Sequence, residues 1–132
     1  MKYRVLPHGG ESISILGVGA SSIQASTEKE IRETIAWAVE NGITKGTSDT
    51  TFSPNMTCSR AQIVTFLWRS EKSPAAGTAN PFADVKSDAY YADAVLWAVK
   101  ENITKGTTST TFSPNVDCTR AQIVTFLWRC KK

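Results

Sequence analysis

Apolar residues recur along the chain at the spacing of α-helices, in two similar halves. The first stripe of each half places apolar residues four and three positions apart: Ile31, Ile35 and Ala38, then Tyr91, Val95 and Ala98. Each stripe is followed by a polar loop and then by a denser apolar segment, at 63–68 and 123–128. A period between three and four residues indicates amphipathic helices, and a dense segment indicates a helix that is covered on several sides.

Residues at the ends of these segments support the same interpretation. Three segments open with a capping box, in which a hydroxyl and a carboxyl or amide side chain satisfy free backbone N–H groups: Thr27 with Glu30, Ser59 with Gln62, and Thr119 with Gln122. Gly42 and Asn102 follow the first stripe of each half, and both residue types tolerate the left-handed conformation that ends a helix. We therefore predict helices near residues 27–41, 59–70, 88–101 and 119–130, with Phe52 and Phe112 anchoring the loops.

The two halves are copies of one unit. When the chain is shifted by 60 residues, 25 of the 34 positions between Ala36 and Arg69 are identical, and Arg60–Arg69 matches Arg120–Arg129 without a difference. Upstream, Ile31–Ile35 shares no identical residue with Tyr91–Val95. The sequence thus contains an internal repeat whose first copy has a different beginning.

The N-terminus has its own pattern. Two short alternating runs flank the turn-forming segment Pro7–Glu11, which favours a β-hairpin. We predict a mainly α fold, in which two helix–loop–helix repeats follow a short N-terminal β-hairpin or extended arm. The predicted segments are an arm, a partial repeat, a linker and a complete repeat, at 1–25, 26–70, 71–81 and 82–130.

Composition and charge exclude several classes of protein. The 132 residues carry 15 positive and 12 negative side chains, a net charge of +3, with no basic cluster beyond Lys131–Lys132. This argues against a nucleic-acid partner. No apolar run approaches the roughly 20 residues of a membrane span. The polar segment Pro7–Glu11 interrupts the basic and apolar parts of the N-terminus, so we expect no secretion signal.

Few residues are suited to catalysis or metal binding. The only histidine, His8, lies in a Gly-rich turn, and the three cysteines form no Cys-x-x-Cys motif. The Gly17-x-Gly19 pair lacks the third glycine of a nucleotide-binding fingerprint. We expect no catalytic residue, metal or cofactor, and we interpret Cys58 and Cys118 as small buried apolar residues.

Residues 82–130 resemble a complete S-layer homology repeat, and about 36–69 resemble a partial one. The matching motifs are Phe82-Ala83-Asp84-Val85, Tyr90–Val95, Ile103-Thr104-Lys105-Gly106, Thr111–Asn115 and Thr119–Gln122. Repeats of this family usually come in threes, packed as a spindle. The resemblance implies a noncatalytic module at the bacterial cell surface, which binds acidic, often pyruvylated, cell-wall polysaccharide in grooves between repeats. Because we expect no secretion signal, a cytoplasmic location is the alternative.

The resemblance also implies ligand-binding residues. The arginine of the family's Thr-Arg-Ala-Glu motif corresponds to Arg60 and Arg120, while Gln62 and Gln122 replace its glutamate. A guanidinium group suits carboxylate recognition because it donates two parallel hydrogen bonds. The other predicted ligand-binding residues are Lys45, Lys105, Gly46, Gly106 and Asp84. The alternative is that the arginines and lysines are simply solvated.

Residues 1 to about 43 resemble the beginning of an aldo-keto reductase. The matching residues include Met1-Lys2-Tyr3-Arg4, Leu6-Pro7, Gly9-Gly10-Glu11, Leu16-Gly17 and Asn41-Gly42-Ile43. In that family the segment forms a capping hairpin and the first strand and helix of the barrel. Thr47 stands at the position of the catalytic aspartate, and later catalytic segments have no counterpart. A complete barrel needs about 250 residues, so we expect no enzymatic activity.

Three functions therefore remain open. The first is attachment to the cell envelope, the second is an inactive fragment of an oxidoreductase, and the third is a self-associating module without a ligand. Two repeats do not complete a three-lobed spindle, so we expect a homo-oligomer unless the N-terminal hairpin covers the open face. We expect the four tryptophans to pack in the core rather than to stack on sugars: Trp37, Trp68, Trp97 and Trp128.

Overall fold

A computed structural model describes residues 3–5, 12–14 and 27–132 of the chain. The described part is mainly helical, with α1 at Glu28–Glu40, α2 at Arg60–Ser70, α3 at Ala92–Lys100 and α4 at Arg120–Lys131. These are the four predicted helices. Within the described ranges, no helix is both long and apolar enough to span a bilayer.

A short antiparallel ladder lies at the N-terminus. Strand β1 (Tyr3–Val5) pairs with β2 (Ser12–Ser14), and Arg4 faces Ile13 in the middle of the register. This is the pairing that the alternating runs predict. The predicted turn at Pro7–Glu11 lies outside the described residues.

The helix ends follow the sequence signals. All three predicted capping boxes are formed, at Thr27, Ser59 and Thr119. Gly42 and Asn102 have positive φ values of 69° and 57°. In each case the next residue donates its N–H to the carbonyl five residues back, as in a Schellman motif: Ile43 to Ala38 at 2.9 Å and Ile103 to Ala98 at 2.8 Å.

The third helix begins later than predicted, at Ala92 rather than near residue 88. The preceding residues form turns instead, since Ala89 N–H donates to Lys86 O and Ala92 N–H donates to Ala89 O. Tyr91 occupies the N-cap position without a side-chain cap. The apolar stripe of the sequence therefore begins before the helix itself, at Tyr91. No capping residue before it fixes an earlier start of the helix.

The chain forms two compact units, Met1–Met56 and Thr57–Lys132. The boundary falls inside the first copy of the repeat, near the end of its long loop. The first unit contains the β-hairpin and α1. The second contains α2, which is the second helix of the first copy, together with the whole of the second copy. The compact units and the sequence copies are therefore offset by one helix.

In the second unit, α2 packs against both α3 and α4. Its core holds fully buried side chains from α2, from α3 and from the loop after α3, namely Val64, Thr65, Leu67, Val95, Ile103 and Phe112. The predictions that Phe112 anchors a loop and that Trp97 lies in the core are confirmed. In the first unit, Ile43 and Thr44 are buried, whereas α1 has no buried residue.

The identical segments of α2 and α4 differ in exposure. Val64 is fully buried (0%), whereas its counterpart Val124 is 62% exposed. Trp68 is half-buried and donates its indole N–H to Pro74 O at 2.8 Å, whereas Trp128 is 60% exposed. The prediction of a core position is therefore wrong for Trp128, because the second unit lacks a further helix on that side of α4.

Candidate functional site

The segments that precede α2 and α4 lie side by side in the second unit. Ser59 pairs with Asp117 in an isolated antiparallel bridge. On its two sides, Cys118 N–H donates to Cys58 O and Arg60 N–H donates to Val116 O, both at 2.9 Å. The bridge brings together the same short motif from both copies, so that the two arginines of the predicted site open neighbouring helices.

Arg60 is buried at the start of α2, with only 3% of its surface exposed. Its Nε donates to Phe112 O at 2.8 Å, and its guanidinium lies over the Phe112 and Phe126 rings, at 4.9 and 5.4 Å from their centroids. Burial lowers the pKa of the guanidinium, and nearby Cys118 and Asp84 oppose that shift. These contacts connect α2 to the loop and the second helix of the other copy.

Arg120 occupies the equivalent position at the start of α4 and is exposed. Its neighbours form the same cap, in which Thr119 accepts from Gln122 N–H at 3.2 Å and Gln122 accepts from Thr119 N–H at 3.0 Å. The replacement of the family's glutamate by glutamine therefore preserves the cap. Of the two arginines, the structure leaves Arg120 accessible to a solute.

Asp84 holds the loop of the second copy in place. Its two carboxylate oxygens accept from the backbone N–H groups of Phe112 at 2.8 Å and Ser113 at 2.7 Å. Asp84 and Arg60 thus reach the same short segment, one through its N–H groups and the other through a carbonyl. The first copy has Gln24 at the position equivalent to Asp84, outside the described residues.

The lysine–glycine pair of each copy lies in the turn after the first helix. Lys45 and Lys105 are exposed. Gly46 and Gly106 have φ values of 80° and 83°, and a Cβ on Gly106 would approach Thr108 O and Thr111 O to 2.5 Å. Only glycine fits this close turn without a shift of the backbone. The turn therefore holds each lysine away from its helix, in solvent.

Hydroxyl side chains stabilise these loops in a pattern that the sequence analysis did not identify. In the second copy, Thr107 donates its backbone N–H to Thr111 O at 2.8 Å, and its hydroxyl lies 2.7 Å from that of Ser113. The first copy repeats both contacts with Thr47, at 2.8 Å in each case. The recurrence of threonine and serine at the same positions in both copies was the available signal.

Two exposed aromatic side chains add surface suited to sugar rings. Tyr90 is 61% exposed and stands edge-on to Tyr91, with 5.1 Å between the ring centroids. Partial burial raises the pKa of Tyr90, as does the neighbouring Tyr91, while nearby Arg69 lowers it. The Lys132 ammonium group lies 4.9 Å from the centroid of the Trp128 ring. Both places combine an aromatic surface with a positive charge.

The predicted ligand-binding residues thus separate into groups. Arg60 and Asp84 converge on the segment at Phe112, whereas Arg120 and Lys105 are exposed in the same unit. Lys45 and Gly46 belong to the other compact unit. The binding roles of all seven residues stay predictions.

Comparisons with known proteins identify the repeats. The chain is 34% identical over 96 residues to the Surface-layer 125 kDa protein of Lysinibacillus sphaericus, which covers 73% of this chain and 8% of that protein. It is 37% identical over 84 residues to an Endoglucanase of Bacillus sp. (strain KSM-635), which covers 64% of this chain and 9% of that protein. The chain thus spans less than a tenth of either relative.

Neither relative is named as a reductase, so the aldo-keto reductase resemblance of residues 1–43 stays a prediction from sequence. The family described as S-layer homology domain matches residues 23–64 and 81–124, more than half of the chain. Its first match includes all of α1, the loop that follows and the start of α2, and the second covers α3 with its loop and the start of α4. The chain therefore belongs to the S-layer homology domain family, with two repeats.

Proposed function

We propose that this chain is a noncatalytic module that attaches a protein to the bacterial cell wall by binding wall polysaccharide. The observation that carries the proposal is that the chain resembles a short part of two differently named proteins. It matches 8% of a surface-layer protein and 9% of an endoglucanase. A short segment shared by such proteins is explained by a common location at the cell surface. The assembly of its core from both copies is consistent with a binding module.

We further propose that the ligand is acidic and that Arg120 contacts it directly. Arg120 is exposed, and its guanidinium group can donate two parallel hydrogen bonds to a carboxylate of an acidic ligand. Lys105 adds a second exposed charge in the same unit, and Tyr90 offers an aromatic ring for stacking on a sugar. Arg60 is buried and hydrogen-bonded to Phe112 O, so it contributes less to ligand binding than Arg120 and mainly holds the neighbouring loop.

We expect Arg120→Ala to weaken binding of a pyruvylated wall fragment about ten- to a hundredfold, which corresponds to the roughly 1.5–3 kcal/mol of a hydrogen bond to a charged group. Calorimetry of the wild type and the variant measures the change. Arg120→Lys, which keeps the charge but loses the two-pronged geometry, should give an intermediate affinity. Equal affinities of wild type and Arg120→Ala would contradict the role of Arg120.

A pull-down with purified cell wall tests the broader proposal. We expect the chain to sediment with untreated wall, and to be released by salt because exposed charge pairs are screened. Chemical removal of ketal pyruvate from the wall should reduce binding if the ligand is pyruvylated. Binding that survives this treatment would contradict only the proposal that the ligand is pyruvylated. Failure to bind any wall preparation would contradict the attachment function itself.

The reductase-like N-terminus leads to a separate expectation. The segments that carry the catalytic tyrosine, lysine and histidine of aldo-keto reductases have no counterpart in the sequence. We expect the purified protein to leave NADPH unchanged in the presence of an aldehyde, as followed by absorbance beside an active reductase. Turnover proportional to protein concentration would contradict this expectation and favour the oxidoreductase alternative.

A specific observation favours self-association as a second function. Ala61, Val64 and Trp68 form one stripe of α2 that is largely covered, whereas the identical stripe of α4 is exposed at Ala121, Val124 and Trp128. The occupant that we propose for this stripe is α1 of a second molecule. Helix α1 shares Trp-Ala-Val with α3, which packs on α2, and it has no buried residue of its own.

We expect the molecular mass in light scattering to rise with concentration, because an exposed apolar stripe favours association. Val124→Glu places a charge at the centre of the stripe and should shift the equilibrium to the monomer. Asp117→Glu, an exposed substitution that preserves charge, is the control and should leave association unchanged. A wild type that stays monomeric at high concentration would contradict the proposed contact.

A further inference from the structure

The two cysteines at equivalent positions of the repeat meet in the folded chain. Cys58 and Cys118 lie 60 residues apart in the sequence, and each directly precedes the N-cap of its helix. In the structure, Cys118 N–H donates to Cys58 O at 2.9 Å, next to the antiparallel bridge between Ser59 and Asp117. One backbone hydrogen bond therefore joins the two cysteines directly beside the bridge.

The register of this pairing places the two side chains together. Ser59 and Asp117 form the pair without mutual hydrogen bonds, since the bonds lie on either side of it. In an antiparallel ladder, the residues one step further face each other directly, and their side chains point to the same side. Cys58 therefore stands opposite Cys118, with an expected Cα separation of roughly 5.5 Å.

This separation is suitable for a disulfide, which requires Cα atoms roughly 4.4–6.8 Å apart. Both thiols are free and half-buried. Burial raises the pKa of both, and Cys58 adds to the shift at Cys118, as expected for neighbouring groups. Cys130 has a different neighbour, since its thiol donates to a carboxylate oxygen of Glu71 at 3.9 Å.

We propose that Cys58 and Cys118 form a reversible disulfide that covalently joins the starts of α2 and α4 when the protein meets a low-molecular-weight disulfide oxidant. One thiol loses its proton, and the thiolate attacks the oxidant to form a mixed disulfide and release one small thiol. The second cysteine then displaces the other small thiol. The protein loses two protons and two electrons, and the oxidant is reduced to two thiols. This inference does not depend on the proposed polysaccharide binding.

The bond would have a large effect because of the length of chain that it closes. The loop between Cys58 and Cys118 contains all of α2 and α3, together with the segments that connect them to each other and to α4. Closing a loop of this length restricts the unfolded chain strongly, and the native register already places the two cysteines opposite each other. The second unit, in which both cysteines lie, should therefore unfold at a higher temperature when oxidised.

The test uses the full chain with Cys130→Ser, which removes the third thiol. The folded protein is incubated with oxidised glutathione at about pH 8.5, where more of each raised-pKa thiol is ionised, and is then trapped with an alkylating agent. We expect a loss of ~2 Da and a linked peptide pair containing Cys58 and Cys118. The unfolding midpoint should rise by about 10 °C or more and return on reduction.

The control is the double variant Cys58→Ser/Cys130→Ser, in which the remaining cysteine should acquire glutathione without a rise in the midpoint. Three results with the Cys130→Ser protein would overturn the proposal: stable mixed disulfides with glutathione, a linkage that forms only in denaturant, or a disulfide that lowers the unfolding midpoint. A folded protein whose thiols stay unreacted while the denatured chain reacts would also overturn it.

Discussion

Arg60→Ala should lower the free energy of unfolding by about 3 kcal/mol, and Arg120→Ala by less than about 1 kcal/mol, although the two residues occupy identical sequence positions. Arg60 is buried, donates to Phe112 O and contacts two aromatic rings. The substitution removes a charged hydrogen bond worth about 1.5–3 kcal/mol, together with cation–π contacts of about 0.5–2 kcal/mol. It also leaves a buried carbonyl without this donor.

Thermal unfolding followed by circular dichroism measures this difference. For a unit of this size, 3 kcal/mol corresponds to a fall of about 12–24 °C in the midpoint. Arg120→Ala is the matched control because the residue is exposed and its cap is formed by Thr119 and Gln122. Similar midpoints for the two variants would show that Arg60 is not the structural link that its contacts indicate.

Phe126→Ala should lower the free energy of unfolding by about 3–5 kcal/mol, the usual range for a buried phenylalanine. Phe126 is the only residue of α4 that is buried, and its ring lies beneath the Arg60 guanidinium. The variant therefore removes the main core contact of α4 and one partner of Arg60. Urea unfolding, which reports the free energy directly, is the suitable measurement.

The matched control is Phe66→Ala, since Phe66 is the equivalent residue of α2 and is only half-buried. Phe66→Ala should lower the free energy of unfolding by less than Phe126→Ala does. The order of the losses in unfolding free energy reverses when the neighbouring valines are replaced by alanine. Val64→Ala should cost more than Val124→Ala, because Val64 is fully buried and Val124 is exposed. Equal losses of unfolding free energy at the two phenylalanines, or a larger loss at Phe66, would contradict the difference in burial between α2 and α4.

These contrasts bear on how the repeat functions. One arginine of the repeated motif is used to hold the fold together, and the other stands at the surface. A module built from such repeats can therefore offer a binding arginine only where no following helix covers it. For this chain that place is the start of α4, which is the position that we propose for ligand contact.

The local structure follows from the amino-acid sequence alone. The capping boxes at Ser59 and Thr119 and the left-handed ends at Gly42 and Asn102 depend only on hydrogen bonds within a few residues, and all were predictable. The internal repeat and the membership of the S-layer homology family were likewise readable from the order of residues. The sequence shows a glycine at position 106 but not why the position requires one. The reason is the close approach of two backbone carbonyl groups, which only the folded loop reveals.

Which copy of two identical residues is buried depends on the packing of distant helices. Arg60 and Arg120 share their neighbours in sequence, as do Trp68 and Trp128, so local patterns cannot distinguish them. Burial depends on helices that are distant in sequence: α2 is packed against α3 and α4, whereas α4 packs against α2 in this unit. The pairing of Cys58 with Cys118 has the same origin, since a cross-strand register joins segments 60 residues apart that no local pattern connects.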